Sequence, residues 1–384
     1  MDGSLPDLAT GSHNPLVEDQ RPVLPKGLTR LPTWALLLPV FGLGAWLLNM
    51  VTAGAVPALM MAPLLVGCVI AAVHHAEVVA QRVGEPFGTL VLAVSVTVIE
   101  VSLIVSLMLS DAGDASTLAR DTVVAAIMLI LTGMLGASFL LGGLRHGEQR
   151  LSLPGVSAGL STLAALAVLV LVLPNFTISE PGAFYSPAQL LFVAAVSLIL
   201  YATYVMVQTV RHRHYFLPDQ DTGTRDLEVA RPSGRLSLAA LATLLVALTA
   251  VILLATAIAP TVERAVVAAG LPLAIVAVVI AGMVLAPESL AAVRAARRNR
   301  LQTSVNLAFG SALATIGLTI PTVAVVSLLF ELPLALGVGP KTMTLLALAM
   351  FVTAVGLASG RSTVLQGMVH LVILAVYLFT TIIP

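Results

Sequence analysis

The chain has 384 residues, of which 58% are hydrophobic and only 10% are charged, and its mean hydropathy is +1.03. Soluble domains carry about 25% charged residues, so this composition excludes an ordinary soluble domain. A formal net charge of zero argues against a nucleic-acid partner, and the single cysteine, Cys68, excludes a disulfide framework or a cysteine-rich metal site.

The amino-terminal segment, residues 1–31, is polar and rich in proline. It lacks the succession of basic, apolar and small residues that marks a cleavable signal peptide. We therefore predict a disordered cytoplasmic tail.

Long apolar runs fill most of the remaining chain. A helix needs about 20 apolar residues to cross the hydrocarbon core, whereas barrel strands alternate and are about half as long. The sequence predicts an all-α integral membrane protein with about eleven transmembrane helices. We place them near residues 32–51, 54–74, 87–110, 121–144, 153–174, 187–210, 236–259, 265–288, 303–330, 341–358 and 363–383.

Basic residues concentrate in alternate loops. With the amino terminus inside, the inner segments hold 16 of the 19 Lys and Arg residues, and the outer ones hold 3. Cytoplasmic loops retain Lys and Arg, so we expect an inner-membrane protein with a cytoplasmic amino terminus and an external carboxyl terminus. The cytoplasmic loop 211–235 would separate a first membrane half, 32–210, from a second, 236–384.

Two acids, Glu100 and Glu288, lie inside long apolar stretches. A carboxylate at bilayer depth costs roughly 2.5 kcal/mol or more unless it is protonated, paired or bound to a cation. The functional interpretation is an ion path. The structural alternative is a neutral acid that only bonds a neighbouring helix, and it has more weight for Glu288, which the predicted boundary places near the interface unless its helix continues past Pro287 with a kink.

The surroundings of the two acids follow one pattern. An acidic membrane helix is followed by a charged connection and then by a helix with small and hydroxyl residues, over about 84–144 and again over about 278–330. Five helices separate the two acidic helices, so the units have opposite topology. Transporters built from such inverted repeats bind their ion at the midplane between them.

Two buried carboxylates suit cation and proton chemistry. Burial favours the neutral form of a carboxyl group and a bound cation favours the ionised form, so cation and proton compete for the same oxygens. Calcium accepts carboxylate, hydroxyl and carbonyl oxygens. The candidate additional ligands are Thr97, Thr122, Asn306, Ser311 and Thr315. Each of them also has a packing or backbone-bonding alternative.

Three further ionisable residues, His74, His75 and Glu77, lie at the inner end of predicted helix two. They fit either a proton relay or an interfacial position with no part in transport. The sequence leaves this choice open.

The run 82–103, which contains Gly84-Glu85-Pro86-Phe87-Gly88 and Ser95-Val96-Thr97-Val98-Ile99-Glu100, resembles the first alpha-repeat of bacterial ChaA-type antiporters of the calcium/cation antiporter superfamily. Ala286-Pro287-Glu288 and the run 306–315 match the second repeat. The resemblance implies proton-driven export of calcium, with sodium or potassium exchanged in some members. It also implies that Glu100 and Glu288 bind cation and proton in turn.

The chain departs from the wider superfamily pattern, in which a Gly-Asn pair precedes each acid. Here Thr97-Val98 and Ala286-Pro287 stand at those places, which leaves the choice among calcium, sodium and potassium open.

We therefore expect a secondary transporter, with calcium/proton exchange first and sodium or potassium/proton exchange next. Its partners would be inorganic cations, protons and the lipid bilayer, without a bound cofactor. A cation channel or an uncoupled cation transporter is the alternative. An intramembrane enzyme is disfavoured, since the sequence has no His-Glu-His metal spacing and no Ser-His pair at depth.

Overall fold

The computed structural model describes residues 31–52, 54, 56–83, 87–108, 115–216, 232–272 and 274–383. Nearly all of the predicted amino-terminal tail and the centre of the predicted 211–235 loop lie outside the described residues.

Eleven helical segments run through the described part of the chain. They are α1 (Thr33–Val51), α2 (Ala58–Val83), α3 (Phe87–Met108), α4 (Leu118–His146), α5 (Leu153–Phe176), α6 (Pro187–Arg211), α7 (Gly234–Ala268), α8 (Ala274–Arg297), α9 (Leu301–Leu329), α10 (Pro340–Leu357) and α11 (Val364–Ile382). Nine are long and apolar enough to cross a membrane, and α8 makes a tenth if its bent halves form one span. The prediction of an all-α membrane protein is confirmed, and the predicted number of about eleven spans is compatible with this arrangement.

Predicted boundaries are wrong in three helices. Helix α7 continues to Ala268 instead of ending at residue 259. Helix α2 continues to Val83 instead of ending at residue 74, so His74, His75 and Glu77 lie within the helix and not at its inner end. Helix α8 begins at Ala274 and runs to Arg297. A helix satisfies its own backbone hydrogen bonds in lipid and in water alike, so these helices continue beyond the residues at which the hydropathy falls.

A bend of 52° divides α8 between Ala286 and Glu288. Residue 287 is a proline, a residue type that has no backbone N–H group and commonly bends or breaks a helix. The helix bends there instead of ending. This agrees with the kinked continuation past Pro287 that the sequence allowed. Glu288 therefore lies near the middle of α8 and not at its end.

The helices pack as two groups. A small cluster joins buried residues of α2 and α7, with α1 packed against it, and a large cluster joins α4, α5, α6, α9, α10 and α11. Helices α3 and α8 contribute buried residues to both clusters, for example Ile99 to the small one and Ile104 to the large one. The two helices that carry the buried acids thus lie where the clusters meet.

Two corresponding helices contain a π turn, Leu129–Met134 in α4 and Thr315–Thr319 in α9. These helices each follow an acidic helix in the predicted repeats. Single π turns inside α-helices occur frequently at functional sites. Further π turns lie near the end of α5, before a final 3-10 turn, and at the end of α6. The feature therefore agrees with the repeat pattern without being restricted to it.

Two short strands, β1 (Gln149–Arg150) and β2 (Arg361–Ser362), pair antiparallel in the connections between helices. This pairing connects the segment after α4 to the segment after α10 on one side of the bundle.

Glycine allows α11 to lie directly against α4. A Cβ atom at Gly367 would lie 2.4 Å from the backbone nitrogen of Leu140 and 2.7 Å from its Cα atom. Small residues at such contacts let helix backbones approach closely in a membrane.

We expect Gly367→Ala to lower the free energy of unfolding by about 1–3 kcal/mol, because the added methyl group meets backbone that cannot rotate away. Thermal unfolding in detergent micelles measures the change. The matched control is Gly44→Ala in α1, where a Cβ atom meets nothing within 4 Å. Equal stability of both variants would contradict the close approach.

Candidate functional site

The structure brings both membrane acids to one helix. Glu100 in α3 is 3% exposed and Glu288 in α8 is 5% exposed. The hydroxyl group of Ser311 donates a hydrogen bond of 2.5 Å to Glu288 Oε2, and that of Thr315 donates one of 3.0 Å to Glu100 Oε2. The two predicted acids and two of the predicted hydroxyl ligands therefore form one buried constellation.

Helix α9 sets the spacing of this constellation. Ser311 and Thr315 are four residues apart and share a face of the helix, so their hydroxyl groups lie about 6 Å apart along its axis. The carboxyl groups that they bind are close enough to interact electrostatically. Among the described residues, no Lys or Arg forms an ion pair with either acid.

Part of the constellation has no hydrogen-bond partner. The second carboxyl oxygen of Glu100, Oε1, and the hydroxyl group of Thr319 are buried without a hydrogen bond of good geometry, although Thr319 is close enough to interact with the Glu100 carboxyl group. Thr319 lies on the π turn of α9 beside the Glu100 carboxyl group. Buried polar groups nearly always make hydrogen bonds. One oxygen of Glu100 and the neighbouring hydroxyl oxygen of Thr319 make none of good geometry, which leaves room for a proton or a cation as their missing partner.

Thr319 was not among the ligands predicted from the sequence. The signal that identifies it is the spacing of Ser311, Thr315 and Thr319, each four residues from the next, which places three hydroxyl groups on one stripe of α9. The stripe faces Glu288 at one end and Glu100 at the other.

The structure does not bring two of the predicted ligands to the acids. The hydroxyl group of Thr122 donates to the Leu118 carbonyl of its own helix at 2.9 Å. The amide of Asn306 donates to the Phe216 carbonyl at 2.6 Å and accepts from Gln302 at 2.9 Å. Both side chains use their polar atoms in helix and loop contacts.

Thr97 is buried on α3, one turn before Glu100. This position agrees with its prediction as a ligand.

The histidines of α2 contact α1. His75 is fully buried, and its Nε2 atom lies 3.0 Å from the carbonyl oxygen of Ala35. The ring of His74 lies 5.4 Å from the ring of Trp34. Glu77, one turn further along, interacts electrostatically with Arg294 of α8.

The chain is similar to known proteins of one family over most of its length. The family model described as sodium/calcium exchanger protein matches residues 54–210 and 239–383. The putative ionic transporter y4hA of Sinorhizobium fredii (strain NGR234) is 48% identical over 360 residues, covering 92% of this chain and 97% of the relative. The sodium-potassium/proton antiporter ChaA of Escherichia coli (strain K12) is 36% identical over 311 residues, covering 80% and 84%.

The fold is similar to that of a solved antiporter. The crystal structure of the Ca2+/H+ antiporter YfkE matches with a TM-score of 0.68 at 16% sequence identity. The match covers 92% of this chain and all of that one.

We expect substitutions of the two threonines of the π turn, Thr315 and Thr319, to affect the stability of the protein differently. Thr315→Val removes the hydrogen bond to a buried carboxyl group, so we expect it to lower the free energy of unfolding by about 1–3 kcal/mol in the absence of cations. Thr319→Val removes a hydroxyl group that makes no hydrogen bond of good geometry, so we expect a smaller loss of stability than for Thr315→Val without cations, and a smaller stabilisation by added calcium. Thermal unfolding with and without calcium measures both effects. Full stabilisation of Thr319→Val by calcium would contradict a role for this hydroxyl group in binding.

Proposed function

The chain belongs to the sodium/calcium exchanger protein family, and from this premise we propose that it is a proton-coupled cation antiporter, with calcium as its first substrate and sodium or potassium as further substrates. The observation that carries the proposal is the pair of buried acids, Glu100 and Glu288, held by hydroxyl groups of α9. Both lack a basic partner among the described residues, so a transported ion would supply the compensating charge.

The chemistry of exchange lies in the carboxyl oxygens. In the interior the neutral, protonated acids are favoured, and a cation that enters favours their ionised forms. The two occupants exclude each other because they need the same oxygens. Two carboxylates neutralise one divalent ion, and carboxylate and hydroxyl oxygens are the ligands that calcium accepts.

The relatives agree with a proton as the exchanged ion. One is named a sodium-potassium/proton antiporter and a solved structure of similar fold is named a Ca2+/H+ antiporter. For this chain the two acids favour a divalent ion, and monovalent ions would bind with one acid still protonated. No cofactor is needed, since cations and protons are the substrates.

The packing supports alternating access. Helices α3 and α8 lie between the small and large clusters, so a shift of one cluster against the other would open the acids to one side of the membrane at a time. With the outer side open, protons would enter and displace the cation. With the inner side open, the protons would leave and a cytoplasmic cation would bind. The orientation expected from the arginine distribution makes this cycle an export of cations from the cytoplasm.

A cation channel fits the site less well. A conducting pore needs a continuous wet path, whereas Glu100 and Glu288 are 3% and 5% exposed. Burial at this level favours a site that is occluded between openings.

Proton movement in everted membrane vesicles tests the proposal. We expect calcium, sodium or potassium pulses to release protons from acidified vesicles that contain the protein. Glu100→Gln and Glu288→Gln should each reduce this release by at least tenfold, because an amide cannot exchange a proton. The control is Glu148→Gln, an exposed acid that pairs with Arg361. Cation flux without proton movement, or full activity of both variants, would favour an uncoupled transporter or a channel.

The apparent cation affinity should depend on pH. Protons compete for the carboxylates, so affinity is highest at high pH and falls as pH decreases. In the pH range in which the acids are protonated, the apparent Kd should rise about tenfold for each unit by which the pH is lowered, for each proton that one cation displaces. Calcium titration of the purified protein at several pH values measures the slope, and Glu288→Gln should reduce it by one proton. A Kd that does not change with pH would contradict competition.

A further inference from the structure

A groove outside the ion site runs along α2 and α8. Its volume is about 310 Å³, and it is lined on α2 from Val66 to Glu77 and on α8 from Met283 to Arg294. Each stretch spans about 16 Å of helix. Trp34 of α1 closes one end.

The walls of the groove are apolar and face outward. Val66, Ile70 and Leu290 are 39%, 46% and 55% exposed. On helices that cross a membrane, such side chains are in contact with lipid chains. An ion passage would need polar walls to replace the water lost from the ion, so this groove suits hydrocarbon and not cations.

An acidic and a basic side chain lie together at one end of the groove. Glu77 and Arg294 face each other and interact electrostatically, yet no hydrogen bond or ion pair joins either of them to another residue in the described part of the chain. His74 lines the same end, and its Nε2 atom is buried without a partner. One cation and one anion therefore line a common space, beside a histidine whose Nε2 atom has no hydrogen-bond partner.

This charged end lies at the membrane interface. Tryptophan is enriched where the hydrocarbon meets the headgroups, and Trp34 stands in the first turn of α1 with its ring 5.4 Å from that of His74. Arg294 belongs to the basic segment after Glu288 that the arginine distribution assigns to the cytoplasmic side. The groove thus has its polar end at the cytoplasmic headgroups and its apolar part inside the bilayer.

We propose that the groove binds one phospholipid of the cytoplasmic leaflet whose headgroup carries a primary ammonium group, as in phosphatidylethanolamine. An acyl chain would lie along the apolar walls, the phosphate would accept hydrogen bonds from Arg294, and the ammonium would donate to Glu77. An anionic headgroup offers Glu77 no cation. A trimethylammonium headgroup has no N–H group to donate.

The groove joins both packing groups. Its α1 and α2 walls belong to the small cluster, while the α8 segment that ends at Arg294 is anchored by Ala292 in the large cluster. If the proposed antiport involves movement between these clusters, the bound lipid would resist it or favour one position. This consequence rests on the proposed function, whereas the binding itself does not.

Native mass spectrometry of the delipidated full chain tests the binding. Titration with phosphatidylethanolamine, phosphatidylcholine and phosphatidylglycerol of equal chain length should show at least fivefold tighter binding of phosphatidylethanolamine. Glu77→Gln should reduce this preference to parity with phosphatidylcholine. Arg294→Gln should weaken the binding of all three lipids, and Ile70→Trp, which fills the apolar part, should do the same without changing a charge.

The matched control is Arg297→Gln, one turn beyond Arg294 and outside the groove lining, which should bind lipid as the unmodified chain does. Gel filtration and circular dichroism establish that each variant is folded. Equal binding of the three lipids by the unmodified chain, a preference for phosphatidylglycerol, or unchanged selectivity in Glu77→Gln would overturn the proposal. The measurement needs no transport, so its failure and a failure of the antiport experiments are distinguishable.

Discussion

Two carboxyl groups buried in an apolar bundle are the constraint on which the rest of the structure depends. Removing an ionised group from water costs several kcal/mol unless another charge and hydrogen bonds compensate. Here each acid receives one hydroxyl donor from α9, from Ser311 and Thr315. One donor is too little to hold a bare carboxylate, so the site is compatible with protonated acids or with a bound cation. For the proposed antiport, the helices around the site would have to admit and release charged species while remaining packed.

Two irregular parts of the helices lie beside the acids. The 52° bend in α8 falls beside Glu288, and the π turn of α9 carries Thr315 and Thr319 beside Glu100. In a regular helix the backbone groups bond one another and the side chains follow a fixed spacing. A bend or a π turn changes the direction of the side chains without ending the helix. Elsewhere the packing is close, as at the glycine contact between α4 and α11. The site thus combines local irregularity with a firmly packed frame.

The acids and part of their partners could be predicted from the sequence because an ionisable residue in an apolar run is a local signal. Ser311 and Thr315 followed from the hydroxyl pattern of one helix. Asn306 and Thr122 could not be sorted from them, because whether a polar side chain bonds an acid, a loop carbonyl or its own helix depends on tertiary packing. Thr319, by contrast, could have been predicted from its spacing, because it follows Ser311 and Thr315 at intervals of four residues. The ends of α2 and α8 were wrong because hydropathy marks where a segment becomes polar, while backbone hydrogen bonding decides where a helix ends.

Charge balance links the site to the ratio of exchanged ions. A dry site with two carboxyl groups and no basic partner is stable only when its occupants bring the total charge close to zero. Two protons do so, and so does one divalent cation. A monovalent cation does so together with one proton or with a second monovalent cation. For the proposed antiport, one calcium ion would therefore exchange for two protons and one sodium or potassium ion for one proton. In each case the net movement of charge is zero, so the same two acids account for several cations without a change in their number or their partners.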